Sequence, residues 1–99
     1  MGALAIALEA GFDDDHVIVH VDDRVVLDED GVTTRYQIGL ARMLEVPVTA
    51  GSVRVAVRLP ERELAGETTV DAAETQSLRV SIENAALVFD AGGTPLFYA

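Results

Sequence analysis

This sequence predicts one all-β domain, and three observations predict it. Apolar residues alternate with polar or small ones at period two along most of the chain, turn residues interrupt the apolar runs roughly every eight to twelve positions, and no 3.6-residue pattern is long enough for a helix. The expected fold class is all-β: a single antiparallel β-sandwich, immunoglobulin-like or prealbumin-like, with about seven to nine short strands and little or no helix. A chain of 99 residues suits one core and one domain, taken as residues 1–99.

The elements follow in order. Leu4, Ile6 and Leu8 alternate with Ala3, Ala5 and Ala7 in a first strand, and Val17, Val19 and Val21 alternate with His16, Ile18 and His20 in a second. Further strands are expected over 24–28 and 33–38. "GLARMLE", Gly39 to Glu45, leaves room for one helical turn before Leu44, Val46 and Val48 lead to the Ala50-Gly51 turn. Val53, Val55, Val57 and Leu59 then alternate with Ser52, Arg54, Ala56 and Arg58 in the cleanest half-buried strand of the chain. Strands over 67–71, 77–83 and 86–90, with a short last one over 95–98, complete the set. Gly11, Asp22-Asp23, Asp30-Gly31, Leu59-Pro60, Glu83-Asn84 and Gly92-Gly93 punctuate them. Only five residues are aromatic and none is Trp, so the interior must be mostly aliphatic, with most of Phe12, Tyr36, Phe89, Phe97 and Tyr98 inside it.

Composition excludes several functions. The formal charge is −10, from 17 acidic residues against seven arginines and no lysine. A field of that sign repels phosphate backbones and anionic lipid, so neither nucleic acid nor a membrane surface is an expected partner. The absence of cysteine rules out disulfides, thiolate metal sites and thiol catalysis. "MGALAIALEA" lacks the basic start of a secretory leader, and no run approaches the roughly 20 apolar residues of a membrane-spanning helix, so a soluble, cytoplasmic protein is expected.

The segments "VIVHVDDRVV", "LEVPVTAGSVRVAVRL" and "TTVDAAETQSLRVSI" combine an Asp-rich hairpin turn, a Pro-then-Gly turn before a strongly alternating strand, and an acidic turn before another strand. In this the chain resembles the small prealbumin-like sandwiches of the PEGA and carboxypeptidase-regulatory type, over about residues 15–83. The resemblance implies a scaffold or interaction module with no catalytic residues to carry over. Two departures stand out: Asp23 occupies the place of the usual turn glycine, and "PERELAG" follows the alternating strand. Isopeptide-stapled relatives need a lysine amine, which this chain lacks.

Two candidate sites emerge, both in the stretch from Gly11 to Thr34. A hairpin centred on Asp22-Asp23 sets Val21 opposite Arg24, Val19 opposite Val26, Val17 opposite Asp28 and Asp15 opposite Asp30. That register gathers Asp13, Asp14, Asp15, Asp28 and Asp30 at one end, with Glu29 among them, where a hard cation such as Ca²⁺ would relieve the repulsion between facing carboxylates. The plainer reading is a set of solvated turn carboxylates. "DEDG" starts like a helix-flanked calcium loop, but Gln37 stands where the bidentate Glu belongs. His16 and His20 are roughly 13 Å apart at about 3.3 Å of rise per residue, too far to share one metal.

The second candidate is apolar. Ile18, Val25 and Leu27 are expected on one face of the hairpin with His20, opposite Val17, Val19 and Val26, so both faces carry hydrophobic residues. Either a second sheet or loop covers the Ile18 face or it meets another chain, since exposed contiguous apolar patches commonly mark interfaces. No nucleophile elbow or phosphate loop is present, which leaves a small enzyme built on His16 or His20 as the remotest alternative. The expected function is therefore a non-catalytic interaction or structural module, with a protein partner or self-association through a sheet face. A calcium-binding module is the alternative, and no other cofactor is expected.

Overall fold

The structure is a computed structural model in which residues 2–49, 51–72 and 77–92 are described. Eight strands run through these residues: β1 (Gly2–Leu8), β2 (Asp15–Val21), β3 (Arg24–Val32), β4 (Arg42–Val48), β5 (Ser52–Leu59), β6 (Leu64–Asp71), β7 (Ser77–Glu83) and β8 (Ala86–Gly92). A single 3₁₀ turn, Pro60–Arg62, joins β5 to β6. The strands form two four-stranded sheets, ordered β4-β1-β7-β8 and β3-β2-β5-β6, packed as the expected β-sandwich. All neighbouring strands are antiparallel except β1 and β7, which are parallel at the centre of the first sheet. The strand expected over 95–98, the aromatic residues Phe97 and Tyr98, and the turn residues Ala50 and Gly93 lie outside the described residues.

Alternation sorts each strand into a core face and a solvent face. Val17, Val19 and Val21 of β2 meet Val53, Val55, Val57 and Leu59 of β5 on the inner face of one sheet, all of them buried. Leu4, Ile6 and Leu8 of β1 and Leu78, Val80 and Ile82 of β7 fill the inner face of the other. The two lateral edges close differently. At the β6/β8 edge the missing side chain of Gly66 makes room for Phe89, since a Cβ there would come within 3.1 Å of the Phe89 ring. At the β3/β4 edge the Arg42 Nε reaches the Glu29 carboxylate at 3.3 Å, linking one sheet to the other.

One end of the sandwich is fastened by short polar contacts. The Thr34 hydroxyl accepts a hydrogen bond from the Phe12 N–H at 3.1 Å and donates to the Glu9 carbonyl at 2.6 Å. Gly11 packs so tightly there that a Cβ would stand 2.7 Å from that of Ile82, and its φ of +94° suits glycine.

Two local expectations are corrected. Residues 33–38 form no strand. Thr34 is held by Glu9 and Phe12, and the Arg35 carbonyl then accepts from the N–H groups of Ile38, Gly39 and Leu40, which curls the chain into a tight loop. Tyr36 is not core but 75% exposed at the tip of that loop. "GLARMLE" makes no helical turn, because β4 already begins at Arg42 and pairs with β1.

Candidate functional site

The β2–β3 hairpin turns at Asp22 and Asp23, whose φ angles of 50° and 68° are those of a two-residue turn with both central residues left-handed. Both side chains hold β5: the Asp22 carboxylate accepts from the Arg54 N–H at 3.0 Å and Asp23 pairs with the Arg54 guanidinium at 2.6 Å. Val21 faces Arg24, as expected. Beyond that the register departs from the expected one through two irregularities. The first, between Val19 and His20, leaves His20 opposite Val25, Val19 opposite Leu27, Ile18 opposite Asp28 and Val17 opposite Glu29. The second, between Asp15 and Val17, sets Asp15 opposite Val32 instead of Asp30. Each bulge inserts one residue in β3, and the shift removes the like-charge pairing that a regular hairpin would impose.

The acidic residues are dispersed accordingly. Asp15 is 5% exposed and makes a two-pronged pair with Arg62, whose Nε and Nη2 each stand 2.8 Å from a carboxylate oxygen. The same carboxylate accepts the Asp13 N–H at 2.9 Å. Asp28 binds the His16 Nε2 at 2.5 Å, and Asp30 stands 3.7 Å from Nδ1. The Asp28 hydrogen bond, with the nearby Asp30 charge, raises the His16 pKa above its usual 6.5 against the desolvation that opposes it. Among the described residues no group of three or more histidine or carboxylate side chains is placed to hold a metal ion. With Asp15 on Arg62 and both Asp28 and Asp30 beside His16, the carboxylates left for a calcium reading are those of Asp13 and Asp14.

The apolar candidate is re-sorted by the same bulge. Leu27, opposite Val19, packs against the core together with Val26, so it leaves the outer face where the regular register placed it. Ile18, His20 and Val25 stay outside, and Val25 is 52% exposed. Their neighbours on β5 are residues that sequence reasoning did not assign to the site. Ile18 is flanked by Asp28 on β3 and Arg58 on β5, and His20 by Val25 and Ala56. Strand alternation carried the signal for Arg58 and Ala56, but only the β2–β5 pairing sets them beside Ile18 and His20.

In the other sheet, Ala3 and Arg79 are exposed on its two central strands whereas Ala7 and Ser77 are buried, and Val88 of β8, opposite Ser81, is exposed. The chain matches no family model, no curated protein and no solved structure. No helix among the described residues is long and apolar enough to cross a membrane.

Proposed function

We propose that this chain is a non-catalytic interaction module, a prealbumin-like or immunoglobulin-like sandwich that binds a protein partner through the outer face of the β3-β2-β5-β6 sheet. The observation that carries the reading is the exposure of Val25 beside half-buried Ile18 and Ala56 on a face already filled on its inner side. Apolar residues grouped on the outer face of a sheet whose inner face is already filled support a partner seated there.

The test is site-specific photocrosslinking in the cells the chain comes from. A benzophenone side chain replacing Val25 should yield a discrete crosslinked band, and the same group at Val88, on the opposite sheet, should not. Equal yields from the two positions, or none from Val25, would overturn the proposal.

A further inference from the structure

The outer face of β3, β2 and β5 carries its charges in an order that is complementary to itself. Across the sheet one rung reads Asp28, Ile18, Arg58 and the next reads Val25, His20, Ala56. The Arg58 side chain makes no hydrogen bond or ion pair among the described residues. Asp28 uses only Oδ1, toward His16, and keeps a side chain 59% exposed.

Resting on the interaction reading above, we propose that the partner is a second copy of this chain, joined face to face about a two-fold axis that runs parallel to β2 over Ile18. Rotation about that axis lays each rung over itself in reverse. Arg58 of one copy then lies over the partner's Asp28, and Asp28 over the partner's Arg58. Ile18 meets the partner's Ile18 and His20 the partner's His20 at the axis, and Val25 covers the partner's Ala56. The contact is isologous, so it closes as a dimer and does not propagate. It gives a cation to each of the two flanking carboxylates and covers the exposed valine in a chain whose overall charge disfavours random self-contact. The other outer face offers no such match: its rung Met43, Ala7, Arg79, Asp90 places Met43 over an arginine or an aspartate under the equivalent operation.

Strands about 4.8 Å apart and outward residues about 6.6 Å apart give this face a footprint of roughly 400 Å² per copy. The total of about 800 Å² lies below the range of stable interfaces and in that of transient ones, so the dimer is weak and reversible and forms in the micromolar range or above.

Sedimentation equilibrium from about 10 μM to about 1 mM protein, at about 0.15 M salt, tests it. The wild-type chain should show a reversible monomer–dimer equilibrium. Arg58→Glu, which opposes carboxylates at both flanks, should raise the dissociation constant about tenfold or more. Arg35→Glu makes the same charge change on the distant loop and should leave it within about twofold. The double variant Asp28→Arg with Arg58→Glu restores opposite charges in swapped positions and should recover most of the loss. All four chains must retain a cooperative melt, which exposed positions permit. A wild-type chain that stays monomeric at the highest concentration overturns the proposal, as does an Arg58→Glu variant no weaker than Arg35→Glu. A Val25 crosslink to a different protein, with the pure chain monomeric, would overturn the dimer and leave the interaction reading standing.

Discussion

His16 shows how much a single residue's surroundings decide. Two carboxylates flank its ring, and the hydrogen bond that its Nε2 makes to Asp28 is the largest cause of its raised pKa. A group whose folded pKa lies above its unfolded value contributes stability that is fully present below the unfolded pKa and is lost as pH rises through the folded one. The contribution is therefore present below about pH 6.5 and fades above it. His16→Gln should lower the melting temperature more at about pH 5.5 than at about pH 8.5, measured at protein concentrations where the chain is monomeric. An equal effect at both would mean that the imidazolium form gains nothing from Asp28. The acidic character of this end is plain in the sequence, but its pairing is not. Asp15 lies 47 residues from Arg62, and no local pattern announces a contact of that span.

At the scale of the element, the strands were largely legible because alternation is a local property and β-branched residues dominate the buried positions. What could not be read locally was the pairing between them. The β3 bulges moved Leu27 to the core and Asp15 away from Asp30, and loop 33–40 folds by contacts to Glu9 and Phe12 that lie more than 20 residues upstream. The outer face is likewise half legible: Ile18, His20 and Val25 stand out as a hairpin surface, whereas Arg58 joins them only through the β2–β5 register. Turns gave a mixed result for a related reason. The β7–β8 hairpin turns at Asn84 and Ala85 with φ of 53° and 59°, a geometry that favours Asn followed by Gly. Alanine there carries about 1 kcal/mol of strain or more, so Ala85→Gly should stabilise the domain by about 0.5 to 1 kcal/mol in urea unfolding. At the other tight turn Asp23 occupies the place of the glycine, and its carboxylate holds Arg54. Asp23→Gly should gain less than Ala85→Gly, because relief of the backbone is offset by loss of that pair. The reverse ranking would show that the Asp23–Arg54 contact contributes nothing.

For the whole molecule the governing quantity is charge. Seventeen acidic residues and seven arginines occupy a body of 34 × 31 × 21 Å. At about 0.01 M salt the screening length is about 30 Å, so every carboxylate is felt across the whole domain; at about 0.15 M it falls to about 8 Å and only neighbours interact. Unfolding separates these charges, so self-repulsion favours the unfolded chain and salt should oppose that preference. The opposing effect is the weakening of exposed ion pairs such as Arg54–Asp23 and Arg42–Glu29, each contributing at most about 1 kcal/mol. The arginines can neutralise fewer than half of the carboxylates, so the relief of repulsion should exceed that loss. The melting temperature of the dilute, monomeric chain should therefore rise between about 0.01 M and about 0.5 M sodium chloride. A gain of about 1 kcal/mol corresponds to about 4 to 8 °C in a domain of this size. Sodium chloride is the appropriate salt, because sulfate would strengthen apolar burial on its own account. A midpoint that falls with salt would show that the ion pairs, Asp15–Arg62 foremost among them, outweigh the surplus of negative charge.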